Sequence, residues 1–176
     1  MLGDRILVIG CAGSGKTTLT YQLHEKLGIP VIHLDKFFWS DNWKAPEHQQ
    51  WEKEVERLAQ NPEWIMDGNY TTSLPLRLDN ATSVIYLDVP RWKCLIRVIF
   101  RRFRWLHNKK RQDMAAGCKE HLNWRFYRWV WDYPKRSRGK TLAMLACFKG
   151  PVYVLRTNKD FRNFISKVSN DTLNAE

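Results

Sequence analysis

Residues 10–17 read Gly-Cys-Ala-Gly-Ser-Gly-Lys-Thr, a complete G-x-x-x-x-G-K-[ST] octet. No other stretch of the chain limits its fold so severely, because the octet functions only between a strand and a helix. Both are expected here. Arg5-Ile6-Leu7-Val8-Ile9 has the length and β-branching of a buried strand. Thr17 to Leu27 places apolar residues at 19, 23 and 27, and Gly28 and Pro30 follow as stop signals.

Each letter of the octet has a chemical reason. Gly10, Gly13 and Gly15 let successive N–H groups turn inward and form an anion nest at a helix N-terminus. Lys16 adds a point charge for β- and γ-phosphates, and the Thr17 hydroxyl suits Mg²⁺. The run Gly10, Cys11, Ala12, Gly13, Ser14, Gly15, Lys16, Thr17, Thr18 is therefore expected to bind ATP with Mg²⁺.

At 176 residues the chain suits one domain with a real core, assigned to 1–168, and the polar end 169–176 is expected to fray. No run approaches a membrane span. The first strand begins so early that no secretory leader is expected, and the location expected is cytoplasmic. Cys11, Cys94, Cys118 and Cys147 lack C-x-x-C spacing, which fits reduced thiols. The net charge of +11 is unevenly spread, with 16 Lys/Arg against 3 Asp/Glu in residues 91–140. That segment suits either a lid over polyphosphate or a nucleic-acid surface.

Strand and helix patterns alternate along the chain. Further strands are expected at Val31–Asp35, Trp64–Gly68, Ser83–Val89 and Pro151–Leu155. Helices are expected at 47–60 with Trp51, Val55 and Leu58 inward, at 71–79 started or kinked at Pro75, and at 91–105. Others follow at 119–133, 135–148 and 159–168, while 106–118 reads as a mobile charged stretch. Such alternation implies an α/β fold, a parallel sheet with helices on both faces.

Ligands of such a sheet sit beyond the carboxyl ends of its strands. Three strands are expected to end there in aspartates, Asp35, Asp67 and Asp88. Asp67 closes an apolar strand in the Walker-B manner and is the candidate Mg²⁺ carboxylate, with Thr17 the other metal residue. Asp35 is the candidate for orienting or deprotonating an acceptor. Trp39, on the aromatic loop after Asp35, is a candidate for stacking on it. Thr157-Asn158-Lys159-Asp160 is similar to the guanine-reading N-K-x-D element, but Phe161 holds the required carboxylate position. A GTPase is disfavoured, although the same loop suits a purine site.

The segments GCAGSGKTT, HLDKFFW, WIMDGNY, LDVPRWKCLIRVIFRR and DMAAGCKEHLNWRFYRWVW together resemble the bacterial DNA topology modulation (FlaR-like) proteins, a branch of the adenylate-kinase-related P-loop kinases. The resemblance runs from about residue 4 to about residue 165. It implies the nucleoside-monophosphate-kinase fold, a five-stranded parallel sheet in order 2-3-1-4-5 with a helical basic lid, here about 103–138. Arg97 and Arg101 look like the arginine pair entering the lid. Arg136 and Arg138 are similar to those returning from it, and the sequence does not fix which one aligns. Asp67-Gly68 looks like the start of the adenylate kinase D-G-F-P-R element. Asn69-Tyr70 replaces Phe-Pro, and the nearest arginine is Arg77, the candidate acceptor cation.

Two functions are implied. The first is an ATP-dependent phosphotransferase acting on a nucleoside, nucleotide or small metabolite, with Lys16, Asp35, Arg97, Arg101 and Arg136 catalytic and Asp35, Trp39, Asp67 and Arg77 at the acceptor. The second is an ATP-binding, nucleic-acid-associated regulator of DNA topology. Neither implies a membrane partner, and a monomer or a homodimer suits both.

Overall fold

The structure is a computed structural model and describes residues 2–40, 43–105 and 124–173. Five strands form one all-parallel sheet: β1 (Arg5–Gly10), β2 (Val31–His33), β3 (Trp64–Asp67), β4 (Ser83–Leu87) and β5 (Val152–Leu155). Their order is β2-β3-β1-β4-β5, as expected from the resemblance. β1 lies at the centre, and its apolar residues Ile6 to Ile9 are buried, as helices on both faces require.

The helices are α1 (Lys16–Leu27), α2 (Leu34–Phe38), α3 (His48–Ala59), α4 (Leu74–Asn80), α5 (Arg91–Trp105), α6 (Trp124–Trp131), α7 (Gly139–Ala146) and α8 (Asn158–Leu173). One face of the sheet packs Trp51, Val55 and Leu58 of α3 with Leu74 and Leu78 of α4 and Leu145 of α7. The other packs Leu19 and Leu23 of α1 with Phe164 and Val168 of α8. A third apolar cluster joins Cys11, Cys94, Val98, Val130 and Tyr133, and so ties α5 and α6 to the glycine loop.

Several boundaries differ from expectation, each for a local reason. The second strand stops at His33, and Asp35 lies in the first turn of α2, where a carboxylate complements the helix dipole. Residues 169–173, expected to fray, continue α8, and Ser169 Oγ donates to the Ile165 carbonyl at 3.0 Å. The helix expected from residue 135 begins as a wide π-helical turn, Pro134–Arg138, before α7. Gly28 does stop α1, in a left-handed conformation with its N–H on the His24 carbonyl at 2.9 Å. The charged stretch 106–118, the start of the helix expected at 119–133 and the chain end 174–176 lie outside the described residues.

Candidate active site

The octet spans the β1–α1 connection, with α1 beginning at Lys16. Gly10, Gly13 and Gly15 take φ values of 152°, 79° and 106°, positive angles that only glycine accepts without strain. A Cβ on Gly13 would lie 2.4 Å from the Cys94 carbonyl oxygen, so α5 closes on the loop too tightly for any side chain. Lys16 Nζ folds back and donates to the carbonyls of Gly10 at 2.9 Å and Cys11 at 3.0 Å. The ammonium is thereby held at the mouth of the loop, between the strand end and the helix start.

Arg97, on α5, donates to the Ser14 carbonyl at 3.0 Å and to Asn158 Oδ1 at 2.9 Å. It joins the glycine loop to the loop after β5. Beneath it opens a cavity of about 390 Å³, lined by Ser14, Gly15, Thr18, Thr157, Asn158 and Phe161 among others. Thr157, Asn158 and Phe161, at the start of α8, line one side of this cavity. Asp160 is used otherwise: its carboxylate accepts from the backbone N–H of Arg156 and Thr157, both at 2.9 Å, and caps α8. These bonds hold its carboxyl below the ordinary range.

Beyond the strand ends, two carboxylates each carry a partner. Asp67 Oδ1 lies 2.9 Å from His33 Nδ1, and parallel pairing sets these residues side by side at the ends of β3 and β2. Asp35 accepts from the phenol of Tyr70 at 2.5 Å. Burial first, then the Asp35 charge, pushes the Tyr70 phenol up, so it stays a donor at neutral pH. Tyr70 packs against Phe38 and Trp51, with ring centroids 4.5 and 4.9 Å away. Trp39 meets Phe38 and Trp43 edge-on in the same aromatic group.

Arg77 corrects the expectation of a cation displayed to the acceptor. Its side chain is 0% exposed and donates to the carbonyls of Gly68 (3.0 Å), Tyr70 (2.6 Å) and Ser73 (3.3 Å). Burial lowers its pKa to about 10, opposed by neighbouring Tyr70 and Asp67. The chain between β3 and α4 turns sharply, Gly68 at φ 143°, and Arg77 satisfies the carbonyls that turn inward.

The arginines expected at a lid differ in their partners. Arg138 is committed to Asp88, with two bonds of 2.7 and 2.8 Å, and Arg156 adds a longer contact at 3.5 Å. Arg136 stacks over Trp129 with 4.4 Å to the ring centroid, and its charge is felt at Cys11 in the glycine loop. Arg101 lies on α5 one turn beyond Arg97, half-buried. Sequence reasoning missed two partners here. Cys94 packs beside Cys11 in the third apolar cluster, the two thiols donating to the carbonyls of Val89 at 3.7 Å and Val130 at 3.8 Å. The neighbouring Cys11 thiol, with the Lys16 and Arg97 charges against desolvation, draws the Cys94 thiol down. His33 was the other, and no local pattern signals a histidine whose partner is 34 residues away.

The residues fit the group that the octet implies. Positive-φ glycines shape the loop, Gly10 and Gly13 packed too closely against Leu87 and Cys94 for a Cβ, and an ammonium and a guanidinium flank it. Among the described residues no cluster of three or more His, Cys, Asp or Glu could cage a metal. Mg²⁺ is ordinarily held by one or two protein oxygens plus substrate phosphates and not by an all-protein cage. Among the described residues, no helix is long and apolar enough to cross a membrane.

Kinases are among the solved structures that share this architecture. Shikimate kinase from Acinetobacter baumannii, in complex with shikimate, superposes with a TM-score of 0.63 at 19% identity, over 98% of this chain and 94% of that one. A protein from Chloroflexus aurantiacus assigned provisionally as a kinase gives 0.54 at 18% identity, over 97% and 98%. The fold is that of the P-loop kinases. No family model matches the sequence, and no curated protein matches it either.

Proposed function

We propose that the protein is an ATP-dependent phosphotransferase whose acceptor nucleophile is a hydroxyl of a small molecule, a nucleoside or a similar metabolite. The observation that carries this reading is the glycine cradle with Lys16 at its mouth, opening on the 390 Å³ cavity that the Thr157–Asn158 loop lines from the far side. The kinase fold, and the shikimate bound by one structural neighbour, support it by analogy of fold.

In this reading the cradle amides and Lys16 hold the triphosphate, while Thr17 and Asp67 would hold Mg²⁺, which neutralises phosphate charge when bound. Phosphoryl transfer asks for alignment and cationic stabilisation far more than for covalent help. Lys16 and Arg97 supply that charge beside the loop, and Arg101 and Arg136 supply it from the lid arms. The acceptor oxygen attacks the γ-phosphorus, its proton passes to Asp35, and the bond to the β-phosphate oxygen breaks to release ADP.

The fate of Arg77 favours a hydroxyl over a phosphate acceptor. A phosphate nucleophile needs a cation and no base. The arginine nearest to the Asp67-Gly68 turn spends its donors on backbone carbonyls, whereas the Asp35 carboxylate, which accepts from Tyr70, would serve a hydroxyl as its base.

The test is a panel of nucleosides, polyols, shikimate and nucleoside monophosphates, assayed for ADP formation with ATP and Mg²⁺. Turnover of a hydroxyl compound, abolished in Lys16→Ala and in Asp35→Asn, is the expected result. Turnover confined to monophosphates would overturn the acceptor class, and no turnover above Lys16→Ala would overturn the phosphotransferase.

A second reading rests on a different observation. Trp92, Phe100, Phe103, Trp124 and Trp131 are exposed on α5 and α6, and Arg91 stacks on Trp131 at 4.2 Å. Aromatics interleaved with cations suit stacking on single-stranded nucleic acid, and the FlaR-like motifs are compatible with that. Binding of a labelled oligonucleotide that weakens steeply with salt would support it, and no binding at low salt would remove it.

A further inference from the structure

We infer that His33 is a positioning residue for the Mg²⁺-linked part of ATP binding, acting by fixing the Asp67 carboxylate; this rests on the phosphotransferase reading above. Three observations carry it. His33 and Asp67 are 4% and 6% exposed and face each other across the β2–β3 pairing, with Nδ1 2.9 Å from Oδ1. β3 is flanked on its other side by β1, where Asp67 pairs with Val8, two residues before Gly10. Asp67 therefore lies in register between His33 of β2 and Val8 of β1, the strand that leads into the glycine loop. Third, His33 Nε2 is buried without a hydrogen-bond partner, although the ring meets Tyr21 of α1 edge-on at 5.3 Å.

The physical logic follows from these positions. The Asp67 carboxylate accepts from Nδ1–H, and Nε2 is left buried without a partner of its own. Leaving a buried polar atom unpaired is unfavourable, and a purely structural contact between two strands could be made more cheaply by an apolar pair. What the imidazole adds is direction. With Oδ1 engaged by His33, the carboxylate cannot rotate freely, and Oδ2 is the oxygen left for a cation and its water shell. Supporting bonds of this kind typically change metal affinity about 10-fold or more when removed.

Calorimetry of the full chain tests this, with ATP titrated in excess Mg²⁺ and again in EDTA. His33→Leu removes the donor, and His33→Asn places an amide near the Nδ1 position. The expected result is that His33→Leu loses about 10-fold of the affinity gained from Mg²⁺, keeps its affinity in EDTA, and is rescued by His33→Asn. Asp67→Asn should lose at least as much, with no further loss when His33→Leu is added to it. An unchanged Mg²⁺ increment in His33→Leu overturns the inference. So does an equal loss with and without Mg²⁺ alongside a fall in Tm, which is the mark of a merely structural contact. If His33→Leu does not fold, imidazole ¹⁵N spectra of the wild-type chain decide. A His33 shift on adding ATP with Mg²⁺, absent with ATP in EDTA, supports the inference, and no difference overturns it. A wild-type chain whose ATP affinity ignores Mg²⁺ removes the underlying reading as well.

Discussion

The phenol of Tyr70 donates to Asp35 at 2.5 Å, joining the turn after β3 to the first turn of α2. The bond is half-buried, made to a charged acceptor, and closed in by Phe38 and Trp51. Tyr70→Phe keeps the packing and removes the hydroxyl alone. It should lower stability by about 1.5 kcal/mol, in the range for hydrogen bonds to charged groups, and lower turnover as Asp35 loses its orientation. Urea denaturation beside a steady-state assay measures both.

Arg77 supports the turn that carries Gly68, Asn69 and Tyr70. Arg77→Ala leaves inward-turned carbonyls without donors and should cost about 3 kcal/mol. Arg77→Lys should recover little, because an ammonium cannot reproduce the planar fork of donors. A fully stable Arg77→Ala variant that loses only acceptor affinity would return Arg77 to the substrate.

Gly13 has no room for a side chain. Its φ of 79° and the 2.4 Å approach of the Cys94 carbonyl mean that Gly13→Ala must strain the loop or push α5 away. A loss of about 2 kcal/mol is expected, together with loss of ATP binding. Thermal denaturation with and without ATP checks it: the wild type should gain Tm from the ligand, and the variant should not.

Asp88 gives the contact between the end of β4 and the π-helical turn its pH dependence. The Arg138 hydrogen bonds, with Arg156 adding to them against desolvation, hold the Asp88 carboxyl below its ordinary value. A carboxylate depressed in the folded state contributes stability that is complete above its unfolded pKa of about 3.9. That contribution is lost as pH falls through the lower folded value. Asp88→Asn should therefore melt below the wild type at neutral pH, and the gap should close below about pH 4. Melting curves from pH 3 to 8 measure it.

Legibility in the sequence followed the range of the interactions. The glycine loop, Gly28 and the inward face of α3 are set by neighbours within a few residues, and all were readable. Sheet order was readable from the family resemblance, not from periodicity. Asp35 reads as the end of a strand because Val31 to Asp35 is apolar enough for one, and nothing local announces that pairing ends at His33. Arg77 in a short helix reads as a surface cation, since its burial depends on carbonyls up to nine residues back in an irregular turn. The His33–Asp67 and Cys11–Cys94 pairs come from strand and helix adjacency across long separations, which sequence spacing does not encode.

The central claim is that the Gly10–Thr18 loop and the Lys16 ammonium grip the triphosphate of ATP. Calorimetric titration of ATP with Mg²⁺ into the wild-type chain and Lys16→Ala tests it most directly. One saturable site in the wild type, weakened about 10-fold or more by loss of a cation that bonds phosphate directly, is the expected result. No saturable heat from the folded wild-type chain, or equal affinity in Lys16→Ala, would contradict it.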